Sequence, residues 1–242
     1  MSNSRLTDLI ALAKETSSQK RRELLREVTD LFFTRHAPTD PELRQFDSVL
    51  TQLATDMEEA VRAELGYRFA SAENAPRRLI FTLANDEAIS VAEPVLSGSQ
   101  ALSEDELLQV VKTHGQDHLR AVSRREIVPE AVSDVIVERG DDQTLNVLLR
   151  NDGARLSREA SEAAVERAVK NPELHEAVIE RKNLPADLLN EMYFVAEARL
   201  RQRILEQNAT LDPAVLEQAL AARRPTTTRP KAMWTSSAPP AS

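Results

Sequence analysis

The chain has 4 histidines and no cysteine. The histidines are therefore the first residues to consider for metal binding or phosphoryl transfer. His114 and His118 are four residues apart, the spacing at which two imidazoles on one helix bind a metal. Gly115 lies between them and is expected to interrupt that helix. We therefore predict a solvated turn at this position and no metal site.

His175 is the candidate for phosphoryl transfer. The pair His175-Glu176 is similar to the pair that opens the phosphoacceptor helix of histidine kinases. Such a helix is long and exposed, whereas this segment lies in a short repeat helix that must pack on both sides. We predict a partly exposed structural histidine, and phosphotransfer stays as an alternative.

Carboxylates are abundant, but their positions do not indicate catalysis. Glu104, Asp105 and Glu106 lie in the expected first turn of a helix, where negative charge is stabilised by the helix dipole. Acid–base catalysis would need two carboxylates with separated pKa values in one cleft. The chain also has no GxSxG motif, phosphate loop or dinucleotide fingerprint. The sequence predicts no catalytic residue, no cofactor and no metal.

Four arginines recur at similar positions at the ends of predicted helices, in the segments SRRE, LRND and ERKN. They are Arg124, Arg125, Arg150 and Arg181. In helical solenoids the second helix of each pair usually lines the inner surface, so these side chains are expected to form a strip that binds carboxylates or phosphates of a partner. The alternative interpretation is that they form ion pairs with nearby carboxylates and close the helix ends.

A repeat determines where these arginines lie. Similar helical segments begin at Leu102, Val128, Leu156, Leu184 and Leu211, at intervals of 26 to 28 residues. Such a period predicts an all-α chain, an α-solenoid of short HEAT-like helix pairs with a period of about 27 residues. Gly115, Gly140 and Asn171-Pro172 are the predicted turns within the units.

Three regions are predicted along the chain. Residues 1–72 form an N-terminal helical cap region, residues 73–224 form the repeat array continuous with it, and residues 225–242 form a disordered tail rich in Pro, Thr and Ser. Phe32 and Phe33 are neighbours in a predicted helix of the cap, so both rings are buried only if that helix is covered over a broad arc. An interior helix or a homodimer interface would provide this cover.

Composition and charge exclude several classes of function. The formal net charge is −8, and the last twenty residues contain four basic residues and no acidic one, so the rest of the chain carries −12. An acidic body that is 4% aromatic overall lacks the basic groove of nucleic-acid-binding helical repeats. No apolar run approaches the roughly 18 residues of a membrane span. With no cysteine and no signal peptide, we expect a cytoplasmic protein.

The chain resembles a known family in three segments. They are RQFDSVLTQLATDMEEAVRAELGYRFA, LANDEAISVAEPVLSGSQALSEDELLQVV and VPEAVSDVIVERGDDQTLNVLLRNDGARLS. This bacterial family of uncharacterised α-helical proteins is known as domain of unknown function 2336 and is related to HEAT-like and leucine-rich-variant repeats. The resemblance extends over roughly residues 22 to 222. It implies a curved stack of paired helices and brings no catalytic residue.

These observations predict a non-enzymatic scaffold or adaptor that binds a protein partner on the concave face of its helices, with a second copy of the chain as a further candidate partner. One alternative is a signalling module of the two-component type, in which a histidine such as His175 takes part in phosphotransfer. The other is a HEAT-like repeat protein that binds nucleic acid, which the acidic composition opposes. No membrane partner is expected.

Overall fold

All regular structure in the described residues is helical. A computed structural model describes residues 18–34, 39–55 and 57–196, together with 201 and 204. Within these ranges the only β pairing is an isolated parallel bridge between Val128 and Ala154. The prediction of an all-α chain is confirmed. The predicted segment from Leu211 and the predicted tail at residues 225–242 lie outside the described residues.

The helices are short after the first two. In the described part of the chain they are α1 (Ser18–Thr34), α2 (Asp40–Thr55), α3 (Glu59–Phe69), α4 (Arg77–Ala84), α5 (Ile89–Gly98), α6 (Glu104–Thr113), α7 (Gln116–Ser123), α8 (Glu130–Arg139), α9 (Asp142–Leu149), α10 (Arg158–Lys170), α11 (His175–Ile179) and α12 (Ala186–Tyr193). A 3-10 turn at Pro172–Leu174 precedes α11. Among these helices, none combines the length and the apolar character that crossing a membrane requires.

Local hydrogen bonds explain where several of these helices begin. The Ser103 hydroxyl accepts a hydrogen bond from the Glu106 amide, and the Glu106 carboxylate accepts one from the Ser103 amide, which is the capping box expected from the sequence. Asp141 caps α9 by accepting a hydrogen bond from the Thr144 amide at 2.7 Å. These caps satisfy amides that have no partner within the helix.

The predicted turns within the units coincide with helix boundaries. Gly115 is the residue before α7, Gly140 is the residue after α8, and Asn171 follows α10. Asn171 also accepts a hydrogen bond from the Glu173 amide and so starts the 3-10 turn. The units are therefore pairs of helices: α4 with α5, α6 with α7, α8 with α9, and α10 with α11.

The helices pack in two rows. We call α2, α4, α6, α8, α10 and α12 the first row, and α3, α5, α7, α9 and α11 the second row. Each second-row helix contacts the next member of its row. In the first row, α2 contacts α4. The later first-row helices also contact one another in succession, from α6 through α8 and α10 to α12. The two helices of each unit also contact each other. Each unit thus buries its apolar side against the units before and after it.

Small aliphatic side chains allow this close packing. The core from α5 onwards consists of Ala, Val, Leu, Ile and a Met, whereas buried Phe32, Phe46 and Phe69 fill the N-terminal end. Gly66 in α3 lies so close to α5 that an added Cβ would be 2.6 Å from the Val91 carbonyl oxygen. A larger residue at this position would force the two helices apart.

The connections between units also contact each other. The Val128 amide donates a hydrogen bond to the Gly153 carbonyl, and the Arg155 amide donates one to the Val128 carbonyl. Gly153 lies directly against the preceding connection, because a Cβ on it would be 1.8 Å from the Glu126 carbonyl oxygen. The segment after α9 is therefore fixed against the segment after α7.

Candidate functional site: arginines at the unit junctions

The four predicted arginines lie at the ends of second-row helices, but the structure separates them into two kinds. Arg125 and Arg181 are buried, with 6% of each residue exposed. The side chains of Arg124 and Arg150 are 48% and 46% exposed. The prediction that all four share one exposed strip is thus corrected, because two of the guanidinium groups are inside the protein.

Arg125 binds the end of the preceding second-row helix. Its Nη1 donates a hydrogen bond to the Leu96 carbonyl at 2.5 Å, and its Nη2 donates one to the Ser99 carbonyl at 2.7 Å. These carbonyls lie at the C-terminal end of α5, where no further helical turn supplies amide donors. Arg125 therefore closes the end of α5 and joins two units.

Arg181 repeats this arrangement two units later. Its Nη1 donates hydrogen bonds to the carbonyls of Leu149 at 3.1 Å and Asn151 at 3.2 Å, and its Nη2 donates one to the carbonyl of Ala154. The guanidinium group is thus bound by the end of α9 and by the connection after that helix. One side chain fixes both segments to α11.

Asn151 occupies the same position in the unit between them. Its Nδ2 donates hydrogen bonds to the carbonyls of Ser123 at 2.8 Å and Arg125 at 2.7 Å, at the C-terminal end of α7. Its Oδ1 accepts a hydrogen bond from the Gly153 amide. We call Arg125, Asn151 and Arg181 the second-row staples.

The two buried guanidinium groups have carbonyls as their hydrogen-bond acceptors. Burial lowers the pKa of Arg125 from its ordinary value. Burial also lowers the pKa of Arg181, and the nearby Asp152 carboxylate opposes that shift. Both groups remain charged at neutral pH because a guanidinium is not deprotonated in proteins. Their removal would leave buried carbonyls without donors.

The first row has staples of its own, which the sequence did not reveal. Arg139 donates hydrogen bonds to the carbonyls of Val111 and His114 at the end of α6. Arg167 donates to the carbonyls of Val137 and Gly140 at the end of α8, and it also pairs with Asp142. The available signal was the repeated Val-Glu-Arg, at residues 137–139 and 165–167. We call Arg139 and Arg167 the first-row staples.

Arg124 and Arg150 form ion pairs at the surface that also connect units. Arg124 pairs with Glu93 of α5, in the unit before it. Arg150 pairs with Glu176 at 2.9 Å and with Glu180 at 3.6 Å, in the unit after it. Exposed pairs of this kind contribute about 0 to 1 kcal/mol to stability. We call these two arginines, Arg124 and Arg150, the exposed pair.

His175 is buried against the helix that precedes it. It is 5% exposed, and its Nε2 lies 3.0 Å from the Ala168 carbonyl oxygen. The prediction of a partly exposed side chain is wrong, because α11 is covered by its neighbours. In this structure the imidazole is not presented to a phosphoryl donor in solution.

The turn around Gly115 brings the other two histidines together. His118 is buried, with its Nε2 2.8 Å from the Asp86 carbonyl oxygen, and His114 places its Nε2 3.3 Å from Asn85 Oδ1. The rings are stacked, with centroids 4.3 Å apart. The helix break is as predicted, whereas the solvated turn is not, because His118 packs inside. Among the described residues, no three His, Asp or Glu side chains are arranged to hold a metal ion.

Asp86, whose carbonyl faces His118, is fixed by Arg62 of α3. Arg62 donates two hydrogen bonds to the Asp86 carboxylate, at 2.5 and 3.0 Å, and the Ala88 amide donates a third. Burial alone would raise the pKa of Asp86, but these donors outweigh it and the pKa lies below its ordinary value. The loop before α5 is therefore held in place on both sides.

We predict that protein stability decreases when the pH falls below about 6.5, the ordinary pKa of histidine. Burial lowers the pKa of His114 in the folded protein, the neighbouring His118 lowers it further, and Glu87 opposes this. As the pH falls, the unfolded chain takes up the His114 proton first, so unfolding becomes more favourable. Urea unfolding between pH 8 and 5 measures the slope. His114→Gln should reduce it, and an unchanged slope would contradict the assignment.

Phe32 and Phe33 differ in their surroundings. Phe32 is buried, and its ring centroid lies 5.4 Å from that of Phe46 and 5.2 Å from that of Phe69. Phe33 is 42% exposed, and the Arg68 guanidinium lies 5.4 Å from its ring centroid. The chain itself thus covers Phe32, and a homodimer at this surface stays a prediction that light scattering would test.

Phe32→Ala should lower the free energy of unfolding by about 3 to 4 kcal/mol, because it removes a buried ring and leaves a cavity between three helices. Phe33→Ala is the matched control and should cost about 1 kcal/mol, since that ring is partly in water. Urea unfolding followed by circular dichroism gives both values. Equal losses for the two variants would show that the two rings are equally buried in solution.

Comparison with known proteins gives one family. The model of the family described as uncharacterised proteins conserved in bacteria (DUF2336) matches residues 91–241, which is more than half of the chain. The match starts in α5, so it does not cover the part of the expected resemblance that lies between about residue 22 and residue 90. No curated protein and no solved structure matches the chain. The match, together with the all-helical fold, shows that the chain belongs to the bacterial family known as domain of unknown function 2336.

Proposed function

We propose that this chain is a non-enzymatic scaffold of the α-solenoid type, built from HEAT-like helix pairs, that binds a protein partner along its second row. Two features support this architecture. Every second-row helix contacts its neighbour in that row, most first-row helices do the same, and staples recur at the same position of successive units. Repeated units of this kind make extended surfaces that suit protein partners better than small molecules.

The exposed pair carries the proposal. Arg124 and Arg150 occupy matching positions of successive units, beside Arg125 and Asn151, which are turned inward as staples. Both guanidinium groups are about half-exposed, so the carboxylates of a partner can reach them. Their present partners are carboxylates of the chain, and a partner's carboxylates would exchange with these at little cost. The expected ligand is therefore an acidic segment of another protein.

The test is affinity capture from a lysate of the bacterium that makes the protein, with wild type and Arg124→Glu/Arg150→Glu as baits. We expect the charge reversal to remove a specific captured protein, because it replaces attraction by repulsion at two points. Arg77→Glu/Arg158→Glu is the matched control, since both residues are exposed first-row arginines that pair with carboxylates. The control should retain that protein. Equal recovery by all three baits would contradict the proposal.

A further inference from the structure

A polar cleft of about 370 Å³ lies beside the turn between α6 and α7. Its lining includes Glu87 from the loop before α5, Thr113 and His114 from the end of α6, and Asp117 and His118 from the start of α7. This cleft lies at the junction between the α4–α5 unit and the α6–α7 unit. It is separate from the exposed pair, and its chemistry does not depend on the function of that pair.

The α6–α7 unit beside the cleft has no arginine staple in its first row, and the carbonyl of Asp86 after α4 is bound by His118 Nε2 instead. The staples Arg139 and Arg167 are each the tenth residue of their helices, α8 and α10. The tenth residue of α6 is Thr113, whose short neutral side chain cannot take this role. At the two later junctions a guanidinium group of the chain itself covers the end of the preceding first-row helix, and at this junction none does among the described residues.

Four side chains of the cleft can accept hydrogen bonds, namely the carboxylates of Glu87 and Asp117 and the imidazole groups of His114 and His118. The Nε2 atoms of His118 and His114 face the Asp86 carbonyl oxygen and Asn85 Oδ1, so the hydrogen bonds assign a proton to each Nε2 and leave each Nδ1 with a lone pair. Neither Nδ1 has a hydrogen-bond partner among the described residues. His118 is 5% exposed and lines the cleft, so a nearly buried ring with one unpaired nitrogen forms part of its wall.

The carboxylates determine the sign of the ligand charge. Glu87 and Asp117 line the same cleft, and Asp117 pairs with Arg120 at 3.3 Å while its side chain remains largely exposed. The N-terminus of α7 also lines the cleft and carries about half a positive charge, but the two full charges of the carboxylates outweigh it, so the cleft attracts a cation. A single metal ion fits poorly, because the rings of His114 and His118 are stacked nearly parallel, with 20° between their planes, and their lone pairs do not converge.

We propose that this cleft binds the guanidinium group of an arginine side chain supplied from outside the helical units. Arginine is the residue that the chain itself uses at the next two junctions, and its guanidinium group has a fan of N–H donors for the carboxylates and imidazole nitrogens that line the cleft. Two sources carry this chemistry. One is the basic segment of the chain itself, with Arg223, Arg224 and Arg229, and the other is a second protein.

The proposal is tested with the full chain at pH 7.5 by NMR of the imidazole groups. N-acetyl-arginine amide is titrated in, and the citrulline analogue is the control because it has the same shape and no charge. We expect the His114 and His118 resonances to shift and saturate with the arginine probe, and the citrulline probe to bind about tenfold more weakly. Identical responses to the two probes, or none to either, would overturn the proposal.

Thr113→Arg provides an internal occupant. This variant restores the tenth-residue arginine, so it should abolish binding of the probe, whereas Thr113→Gln should still bind it. Unchanged affinity in Thr113→Arg would overturn the proposal. If that variant does not fold, Glu87→Gln/Asp117→Asn serves instead, and we expect it to weaken binding of the probe about tenfold. Unchanged binding of the probe by this double variant would also overturn the proposal.

The source of the arginine is found with a full-length variant in which Arg223, Arg224, Arg229 and Lys231 are all replaced by glutamine. If the segment of the chain itself occupies the cleft, the imidazole resonances of this variant differ from those of wild type, and the probe binds more tightly because its competitor is gone. If the arginine comes from a second protein, the resonances and the affinity of the two chains coincide. In both cases the cleft binds a guanidinium group, and the result shows whether this group comes from the chain itself or from a second protein.

Discussion

Gly153→Ala is expected to lower the free energy of unfolding by about 3 kcal/mol. The new Cβ would be 1.8 Å from the Glu126 carbonyl oxygen and 3.0 Å from the Glu126 carbonyl carbon. Both atoms belong to the backbone, so no side chain can move aside to make room. The two connections must separate, which breaks the hydrogen bond from the Val128 amide to the Gly153 carbonyl. Urea unfolding followed by circular dichroism measures the loss.

Gly115→Ala is the matched control for this prediction. A Cβ at Gly115 has no other atom within 4 Å, and the residue has an extended backbone that alanine adopts without strain. Since Gly115 is the N-cap of α7 and alanine is less favoured there, the stability should fall by no more than about 1 kcal/mol. A comparable small change in Gly153→Ala would show that the two connections are not in contact in solution.

Arg181→Ala is expected to cost about 4 kcal/mol, because it leaves the buried carbonyls of Leu149 and Ala154 without a donor, at about 1 to 3 kcal/mol each. The change removes the buried guanidinium that donates to three carbonyls, those of Leu149, Asn151 and Ala154. Alanine cannot reach them. The end of α9 would also lose its connection to α11.

The neighbouring Lys182→Ala is the control for Arg181→Ala. The Lys182 side chain is 77% exposed and pairs with Asp152 at the surface. Its removal should cost about 0 to 1 kcal/mol. The midpoint of thermal unfolding should therefore fall clearly for Arg181→Ala and barely for Lys182→Ala, and similar midpoints for the two variants would contradict the burial of Arg181.

Sequence alone predicted the helices and their boundaries well, because those depend on local chemistry. The capping box of Ser103 and Glu106, and the breaks at Gly115 and Gly140, arise from residues a few positions apart. The period of the repeat indicated units of equal length, and the structure has helix pairs at that spacing. These features required no knowledge of which residues meet in space.

The roles of the arginines could not be predicted in this way. Arg124 and Arg125 are adjacent in sequence, and a charged residue is normally expected at the surface. Arg125 is buried because the carbonyls at the end of α5 need donors, and those carbonyls lie 26 and 29 residues away from it. The sequence shows that a helix ends there but does not show which side chain reaches it.

Arg139 was missed for a related reason. It lies in a predicted first helix, where an arginine near the C-terminus is explained by the helix dipole alone. Its contacts with the carbonyls of Val111 and His114 depend on how closely α8 packs on α6. The significance of Thr113 as an exception becomes visible only after Arg139 and Arg167 are recognised as a pair.

Adjacent residues at the unit junctions have different roles, since one is buried as a staple and its neighbour stays at the surface. Arg124 and Arg125 test this most directly, because they have the same side chain and neighbouring positions. The measurement is the free energy of unfolding of Arg124→Ala and of Arg125→Ala under the same conditions. We predict a loss of about 0 to 1 kcal/mol for Arg124→Ala and of about 3 kcal/mol for Arg125→Ala. Equal losses, or a larger loss for Arg124→Ala, would contradict this division of roles.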